Sequence, residues 1–540
     1  MRAKDPYTVT AQGRPTPRAG VRDAGSSMAT VDAVARVATT GRGRGTRATL
    51  VLGDGARVVR VEDVVRVEVR RRGRRHHHRQ SEDDDDDDAR TLAVTAIARR
   101  RGFPGILTRK RSARRLKTHE TACATAAVAN EARTRCAEAC GLDDADASGT
   151  ARKRRRRVLV IVNPRSGRGE GTKIWETKAR AVLEAANIEC ATRTTKTRGE
   201  ATNVARELDA SLYDGIVAVG GDGTVAELFQ GLSEREDREE IYAKMPIGIV
   251  PAGSGNALCK SIQHAGGEPC DPVSCALTIA RWRTRALDRS EVRFQDSKTA
   301  SGWGDDSKVT HSLLSTSWGF FSDVDIESER FRFLGGARFT LQAIVRILAR
   351  RKYQCELLYE TTEEGEAYNA QHCDGPHGEP VPGRPGWRRV AGDVLGLWAL
   401  NVPWGTESTL AAPHAKFDDG SIDVVLVNVT NRKNMLKLLL DFDAGDHARN
   451  RAVRYIKAKS FEIYPGAAAA AAAAATAAAI VDASSETNAT APGGGGYIAV
   501  DGEVLASRRF RADAAAAFPY GPFRCDVIRA ACAVFAPSSA

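Results

Sequence analysis

Three glycine-rich turns carry the residues of this chain that are best suited to chemistry on phosphate groups. They are Asn163-Pro164-Arg165-Ser166-Gly167, Gly220-Gly221-Asp222-Gly223-Thr224 and Pro251-Ala252-Gly253-Ser254-Gly255-Asn256. Glycine lets backbone N–H groups approach phosphate oxygens, and a helix that begins at such a turn adds a favourable dipole. An acidic side chain is out of place in a phosphate cradle unless it accepts a proton from an attacking hydroxyl or holds a cation. Asp222 is therefore the predicted general base.

Each of these turns follows an apolar run of the kind that a buried parallel strand requires. The runs begin at Val158, Gly215 and Pro246, and helical segments separate them. Alternating strands and helices predict a parallel sheet with right-handed crossovers, and the turns then meet at the carboxyl edge where ligands bind. We expect a doubly wound α/β nucleotide-binding domain over residues 151–287.

The pattern changes after Leu287 to shorter runs in which apolar and polar residues alternate, as in SIDVVLVNV and SFEIYP. Such runs predict antiparallel strands, so residues 288–535 are expected to form a β-sandwich domain. Two low-complexity insertions interrupt it, at residues 360–388 and 466–496, and the second combines polyalanine with four glycines.

The first 150 residues read differently from the rest. Residues 1–30 lack periodicity and predict disorder. Residues 31–150 predict a small β-rich regulatory module: a hairpin around Gly53-Asp54-Gly55, further strands, and a helical pattern over residues 119–140. The order of these elements resembles a pleckstrin-homology-like module.

Composition narrows the possible classes of protein. The 540 residues carry a net charge of +12, which favours anionic partners such as phosphates or a membrane surface. No apolar stretch approaches the ~20 residues of a spanning helix, and the N-terminus lacks the apolar core of a secretory signal. The 11 cysteines include no CxxC pair, and Cys136 and Cys140 have no partners at zinc-site spacing. These features predict reduced thiols in a cytoplasmic protein.

The three turns together, in this order and spacing, resemble the diacylglycerol-kinase-like catalytic domain of lipid kinases. WGFFSDVDIESERFRFLGGARF, NVPWGTES and AVDGEVL are similar to the sphingosine kinases of the plant type. The resemblance covers about Val158 to Leu505. It implies Mg²⁺- and ATP-dependent phosphorylation of the primary hydroxyl of sphingoid bases, which gives the 1-phosphate. Gly220 departs from the vertebrate-type sphingosine kinases, in which this position is Ser.

The resemblance also implies roles for individual residues. Asp222 would be the catalytic base. The acceptor lipid would be bordered by Gly220, Gly221, Asp222, Gly223 and Asp325. ATP would be bound by Asn163, Pro164, Arg165, Thr195, Lys196, Thr197, Arg198, Gly199, Gly221, Gly223, Glu227, Gly253, Ser254, Gly255, Arg332, Arg338, Asp501, Gly502 and Glu503.

The acidic segment from Asp323 to Arg338 has a chemical logic of its own. The head of a sphingoid base carries an ammonium and a hydroxyl, and a carboxylate is the natural partner for both. Asp325 fits that role. Asp323 or Glu329 would hold Mg²⁺ through water, in addition to the ATP phosphates. Arg332 and Arg338 would neutralise charge on the transferred phosphoryl group.

The lipid tail requires an apolar pocket. At helical spacing the candidates are equally consistent with ordinary core, and they are Phe320, Phe321, Phe339, Leu341, Ile344, Val345 and Leu348. The segment 338–353 is also basic, through Arg346, Arg350, Arg351 and Lys352, and is a candidate contact for a membrane or a calmodulin-type partner. We therefore expect peripheral membrane association.

Several alternatives share parts of this pattern. A diacylglycerol kinase has GGDGT but usually PLGTGN in place of PAGSGN. A ceramide kinase acts on an amide, which offers no charge to pair with Asp325. An NAD kinase has GGDGT but does not account for VDIESE or VDGE. A silent lipid-binding adaptor would not need Asp222, Asp325, Arg332 and Arg338 together. A nucleic-acid partner is not expected, because no basic-aromatic recognition module is present.

Overall fold

The structure is a computed structural model, and it divides the chain into two compact units. One unit is residues 1–96 with 118–150, and the other is residues 97–117 with 151–540. The described residues are 35–40, 47–52, 57–60, 63–71, 90–99, 111–123, 126–140, 155–295, 302–303, 309–334, 337–349, 351–372, 378–466, 496–507 and 520–537. The expectation of disorder at 1–30, and nearly all of the insertion at 466–496, lie outside these residues.

The N-terminal region is β-rich, as expected. Its strands are β1 (Ala35–Thr40), β2 (Arg47–Leu52), β3 (Arg57–Arg60), β4 (Val64–Arg71), β5 (Arg90–Arg99) and β6 (Arg111–Cys123). Strands β2 and β3 pair antiparallel, which confirms the hairpin. The predicted helix over residues 119–140 is wrong at its start, because α1 spans Ala126–Cys140 and residues 119–123 belong to β6. Ala129, Ala132 and Cys136 of α1 pack in the same core as Leu50 and Leu92 of the strands, so this helix covers a β core.

The α/β part begins with four parallel strands in the order β8-β7-β9-β10. They are β7 (Arg157–Val162), β8 (Glu189–Thr194), β9 (Gly215–Gly220) and β10 (Ile247–Pro251). The helices are α2 (Gly171–Ile174), which continues through a π-helical turn (Trp175–Ala179) into α3 (Arg180–Ala185), α4 (Glu200–Arg206), α5 (Asp222–Ser233), α6 (Arg238–Lys244), α7 (Ala257–Ala265) and α8 (Pro272–Ala280). All residues of β9 and β10 are buried, which is why these strands read as continuous apolar runs.

The register of the sheet brings the three glycine-rich turns together. Val162 at the end of β7 lies opposite Val219 near the end of β9, and Gly220 lies opposite Pro251 at the end of β10. Because the strands are parallel, their carboxyl ends share one edge of the sheet. The turns after β7, β9 and β10 therefore leave that edge as neighbours, which confirms the predicted arrangement.

Antiparallel strands and four helices follow. The strands are β11 (Thr284–Phe294), β12 (Thr310–Ser312), β13 (Ser315–Gly319), β14 (Tyr353–Glu360), β15 (Glu379–Pro380), β16 (Trp387–Leu400), β17 (Ile422–Asn428), β18 (Val453–Ala458), β19 (Ser460–Pro465), β20 (Tyr497–Val500), β21 (Glu503–Ser507) and β22 (Phe523–Phe535). The helices are α9 (Phe320–Ser328), α10 (Ala337–Ala349), α11 (Glu363–His372) and α12 (Arg432–Ala444), with 3-10 turns at Glu329–Leu334 and Asp446–Arg449. A further 3-10 turn, Ala210–Leu212, lies before β9 in the α/β part.

Alternation along the antiparallel strands builds two separate cores. In β17, Val424 and Leu426 pack into the interior of the sandwich, whereas Val425 and Val427 pack on the other face of the sheet. That second face is covered by α10 and α12, through residues such as Ile347 and Leu438. Successive side chains of a strand point to opposite faces, so one strand serves both cores.

Strand β22 joins the two parts of the larger unit. It pairs in parallel with β10 of the α/β sheet, and antiparallel with β11 and β19. Strand β11 itself begins at Thr284, before the predicted boundary at 287. The two predicted domains therefore share one continuous sheet.

The insertion predicted at residues 360–388 is not wholly low in structure. It contains α11 and the short strand β15. Thr362 Oγ1 accepts a hydrogen bond from Gly365 N, and Glu363, Glu364 and Glu366 lie in the first turn, where negative charge favours a helix. In the described part of the chain, no helix combines the length and apolarity needed to cross a lipid bilayer.

Candidate active site

A cavity of about 780 Å³ opens where the glycine-rich turns face the antiparallel part of the same unit. One end is polar and is lined by the turns after β7, β9 and β10. The other end is apolar and is lined by α9, α10 and α12. The predicted site residues in this lining are Asn163, Arg165, Thr195, Lys196, Thr197, Arg198, Gly221, Asp222, Gly223, Glu227, Gly253, Ser254, Gly255, Asp325, Glu329, Arg338, Asp501, Gly502 and Glu503.

Asp222 is the first residue of α5, and its carboxylate is held by the start of α7. Oδ2 accepts a hydrogen bond from Ala257 N at 2.8 Å, and Oδ1 accepts one from Leu258 N at 3.2 Å. Burial raises the pKa of Asp222 to about 6, against the lowering effect of these two hydrogen bonds. The carboxylate is thus fixed in position, ionised at neutral pH and basic enough to take a proton.

Two of the turns cross at a distance that only glycine permits. A Cβ on Gly221 would lie 2.7 Å from Gly255 O, and one on Gly253 would lie 2.4 Å from Gly221 Cα. Gly220 has a different neighbour, since a Cβ there would lie 2.3 Å from Thr224 Oγ1. That hydroxyl accepts a hydrogen bond from Asn163 Nδ2 at 3.1 Å, so Gly220 leaves room for a link between the first two turns.

Asp325 faces the same space from α9. A Cβ placed on Gly502 would lie 3.5 Å from Asp325 Oδ2, and one on Gly255 would lie 3.2 Å from Asp222 Oδ2. Burial raises the pKa of Asp325 to about 7; Arg338 lowers it, and Glu329, Asp222 and Glu503 raise it. A cationic ligand at the polar end would offset the burial and the neighbouring carboxylates that oppose ionisation of Asp325.

Arg338 is the main buried cation beside these carboxylates. Only 5% of it is exposed, and it forms an ion pair with Glu329. Its Nε is buried and has no hydrogen-bond partner among the residues that the structure describes. A donor in this position is available to an anionic group that enters the cavity. The side chain of Arg332 lies outside the described residues.

The VDGE segment returns to the cavity from β20 and β21, and its two acids differ. The carboxylate of Asp501 accepts hydrogen bonds from Ser312 Oγ and from the backbone N–H groups of Leu313, Leu314 and Ser315. These bonds occupy it, so Asp501 fixes the turn between β12 and β13. Glu503 instead pairs with Arg198 across the cavity. Burial raises the pKa of Glu503, and Arg198 opposes that rise.

The loop after β8 forms one side of the polar end. Glu200 Oε2 accepts hydrogen bonds from Lys196 N at 2.6 Å and from Thr197 N at 3.1 Å, which folds the loop back on the start of α4. Three predicted site residues, Pro164, Gly199 and Gly220, lie in the turns but outside the cavity lining.

The sequence predicts Asp323 beside Asp325 as a water-mediated Mg²⁺ ligand, and the structure places it elsewhere. It is fully buried and outside the lining, where its carboxylate pairs with Arg351 at 2.7 Å and accepts a hydrogen bond from Tyr353. Arg346 lies 3.8 Å from Asp323 and pairs with Glu327. Three of the five basic residues of segment 338–353, Arg338, Arg346 and Arg351, are therefore paired with acidic side chains of the protein, and Arg350 lies outside the described residues.

The lipid-tail candidates separate into two groups. Phe320, Phe321 and Phe339 line the apolar end of the cavity. Leu341, Ile344, Val345 and Leu348 lie on the opposite face of α10 and are 39–62% exposed. These four candidates therefore line neither the pocket nor a core, and the inward face of α10 is formed by residues such as Phe339, Ala343 and Ile347.

Sequence reasoning missed the wall that α12 contributes. Met435, Leu438, Leu439 and Phe442 line the apolar end, with Trp398 of β16 beside them. Their spacing of three, one and three residues is a helical face, which the segment RKNMLKLLLDFDAG shows in the sequence. The same spacing is typical of ordinary core packing, so it gave no reason to select these residues.

Comparison with known proteins agrees with this geometry. Residues 157–292 match the diacylglycerol kinase catalytic domain, and residues 401–493 match the YegS C-terminal NAD kinase beta sandwich-like domain. Over 400 residues the chain is 34% identical to sphingosine kinase 1 of Arabidopsis thaliana, and the match covers 71% of this chain and 76% of that protein. Sphingosine kinase 1 of Homo sapiens is 32% identical over 330 residues, 57% of this chain and 82% of that protein.

A solved structure of a diacylglycerol kinase from Bacillus anthracis aligns with 72% of this chain and 99% of its own, at a TM-score of 0.43 and 16% identity. The extent and level of identity to the plant proteins, together with the catalytic-domain match over the glycine-rich turns, assign the family. The chain belongs to the sphingosine kinases.

Proposed function

We propose that this enzyme transfers the γ-phosphoryl group of ATP to the primary hydroxyl of a sphingoid base. The observation that carries the proposal is that Asp222 and Asp325 share one end of a cavity whose other end is apolar. A single-chain amphiphile with a cationic head fits that division of chemistry. ATP would meet it at the glycine-rich edge of the sheet.

The polar end offers the parts that phosphate binding requires. Backbone N–H groups of the turn at Gly221 and of the start of α5 would form the cradle, and the N-terminus of α5 would add its dipole; the N–H of Gly253 donates a hydrogen bond to Asn256 Oδ1. Arg338, whose buried Nε has no hydrogen-bond partner among the described residues, would contact the γ-phosphate. The loop Thr195–Arg198 would border the nucleoside, with Arg165 near the phosphates. Neutralising negative charge in this way is the main requirement of phosphoryl transfer.

Asp222 would act on the acceptor hydroxyl. The hydroxyl oxygen forms a bond to the γ-phosphorus, while the bond from that phosphorus to the β–γ bridging oxygen breaks and ADP leaves. The hydroxyl proton passes to the Asp222 carboxylate, whose pKa of about 6 allows it to accept the proton and return it to water. The two N–H groups of α7 keep the carboxylate aimed during this step.

Mg²⁺ is an expected companion of ATP, and the donor chemistry of the polar end fits it. Mg²⁺ prefers oxygen ligands, usually one or two carboxylates with phosphates and water. Burial and neighbouring carboxylates raise the pKa of Glu503 and of Asp325, so a cation bound beside them would favour their ionised forms. Glu329 and Glu503 would hold the ion with the ATP phosphates, and the ion would neutralise charge on the transferred group. Asp323 is too deeply paired to contribute.

Asp325 is the residue that would select the substrate. A free sphingoid amine is protonated near neutral pH, and its positive charge would pair with the ionised carboxylate of Asp325. Ceramide and diacylglycerol supply none, so they would leave a buried carboxyl without a partner. This argument favours sphingoid bases over the other two lipids.

The outer face of the lipid-binding helices would contact the membrane that delivers the substrate. Leu341, Ile344, Val345 and Leu348 of α10 are exposed, as is Leu436 (45%) of α12. The opposite faces of the same two helices line the apolar end of the cavity. A lipid leaving a bilayer under this surface would travel a short path along apolar side chains.

The substrate is tested by phosphate transfer from labelled ATP to matched micelles of sphingosine, phytosphingosine, ceramide and diacylglycerol. The Asp222→Asn enzyme serves as the blank. We expect the two free amines to be labelled and the other lipids to remain near the blank. Stronger labelling of ceramide or diacylglycerol would be consistent with Asp222 as the general base but would exclude recognition of a substrate ammonium by Asp325.

Membrane contact is tested by flotation with neutral lipid vesicles. Leu348→Asp with Leu436→Asp should lose binding, while turnover of sphingosine in detergent micelles stays normal. Leu212→Asp, at a leucine of similar exposure in the α/β part, is the matched control. Equal flotation of all three proteins would refute the contact.

A further inference from the structure

Three cysteine side chains meet in the α/β part, outside the cavity lining. Cys259 lies on α7, Cys275 lies on α8, and Cys270 lies on the loop between these helices. Their sulfur atoms are all within 4.8 Å of one another, and those of Cys259 and Cys275 are 3.4 Å apart. Cys259 and Cys275 are buried and Cys270 is half-buried, so the group is internal but within reach of solvent.

The spacing of the sulfurs is close to that of a metal–thiolate centre. Zinc–sulfur bonds are about 2.3 Å, which places two sulfurs of a tetrahedral site about 3.8 Å apart. The group of three cysteines needs shifts of less than about 1 Å to meet that value. Thiolates select soft cations such as Zn²⁺ and Cu⁺ over hard ones such as Mg²⁺. The group is therefore distinct in its chemistry from the carboxylates of the cavity.

We propose that Cys259, Cys270 and Cys275 form a site for one zinc-type cation, with a fourth position left to water. Three thiolates on a divalent cation leave one negative charge, and the positive charge of Lys260 acts on Cys270 and opposes it. The half-buried Cys270 gives the ion a path of entry. The site forms independently of which lipid the enzyme phosphorylates.

The location of the site gives it a structural consequence. Cys259 directly follows Ala257 and Leu258, whose N–H groups hold the carboxylate of Asp222. A bound cation would tie this first turn of α7 to the first turn of α8, where Asp271 caps the helix. The ion would therefore brace the segment that positions the general base, without contact to substrate.

The site is tested on the reduced full-length enzyme by titration with Co²⁺. Sulfur-to-cobalt charge-transfer absorption separates thiolate ligation from binding to the His76-His77-His78 tract. We expect one such ion per chain, displaced by Zn²⁺, and a melting temperature raised by Zn²⁺. Cys270→Ser, at the half-buried position, should bind Co²⁺ at least about 100-fold more weakly than the wild type. Loss of a residue that only hydrogen-bonds to a metal ligand already lowers metal affinity by up to about 100-fold, and Cys270 would be a ligand itself. Cys190→Ser, a half-buried cysteine elsewhere, should bind like the wild type.

Two results would overturn the proposal. The first is the absence of a sulfur-to-cobalt band when the reduced wild-type enzyme is titrated. This result overturns the proposal even where peroxide, in a separate reaction, joins two of the three thiols as a disulfide. The second is equal cobalt affinity of the wild type and Cys270→Ser. A Cys259→Ala variant that also keeps full cobalt affinity would exclude the site in the same way. A Cys270→Ser protein with the melting temperature of the metal-free wild type would exclude misfolding as the cause of weak binding.

Discussion

Binding of the sphingoid base should be linked to the loss of a proton from Asp325. The pKa of this carboxyl is about 7 in the free enzyme because burial and neighbouring carboxylates oppose its ionisation. An alkyl ammonium remains charged across the acidic range and binds the ionised form. With a pKa of about 7 the ionised fraction is about 0.9 at pH 8 and about 0.1 at pH 6, so binding should weaken about tenfold between these values, or about 1.4 kcal/mol. Asp222, half ionised at pH 6, adds at most a factor of about two.

The assay is calorimetric titration of sphingosine in mixed micelles without ATP, in buffers that differ in ionisation enthalpy. Asp325 of the wild type should release about 0.9 proton per lipid bound at pH 6 and about 0.1 at pH 8, and Asp222 would add at most about 0.5 at pH 6. Asp325→Asn should bind weakly at both values and retain only the contribution of Asp222. Asp443→Asn, which removes one exposed carboxylate from the apolar end of the cavity lining, is the matched control and should behave like the wild type. Affinity that does not change with pH in the wild type, or full proton release by Asp325→Asn, would refute the reasoning.

Three further predictions follow from the geometry. Asp222→Asn should lower kcat by about 10²–10⁴-fold and leave ATP affinity unchanged, as measured by single turnover and nucleotide titration; near-normal turnover would remove Asp222 as the base. Leu439→Trp should fill part of the apolar end and shift preference toward shorter chains, whereas Leu436→Trp on the exposed face should not; equal chain-length profiles would contradict the assignment of the wall. Asp501→Ala should lower the free energy of unfolding by about 3 kcal/mol, because it strands buried N–H donors of the turn between β12 and β13, and Asp501→Asn should lose less; equal denaturation midpoints would argue against this role.

The polar end of the site was predictable because it is built from local features. Apolar runs that end in glycine-rich turns determine parallel strands, and parallel strands bring their ends to one edge. Asp222 follows from being the single acid inside such a turn. Asp325, Arg338 and Glu503 reach the same end from distant segments, and they were identified through the resemblance to the family.

The apolar end depends on helix phase, which the sequence leaves open. Both faces of α10 are apolar, so the inward face could not be identified without the packing: Ile347 points inward and Ile344 points outward. On α9, Asp323 and Asp325 are two residues apart and face different surroundings, one an internal ion pair and the other the cavity.

Long-range contacts account for the remaining differences. The carboxylate of Asp501 bonds to a residue 189 positions away, and only the fold reveals that it is occupied. The three cysteines follow one another after 10 intervening residues and then 4, a spacing that matches no common metal motif. A turn between two helices brings them together.

Strand β22 has a consequence for how the molecule is made. It contributes an edge to the nucleotide-binding sheet beside β10, yet it leaves the ribosome after every other strand in the described part of the chain. The α/β sheet therefore remains incomplete until synthesis has passed Val534, which lies opposite Ile247 of β10, long after its first four strands have emerged. A premature stop anywhere in the antiparallel part should consequently abolish ATP binding as well as lipid binding, since neither half is a module that the other can lose.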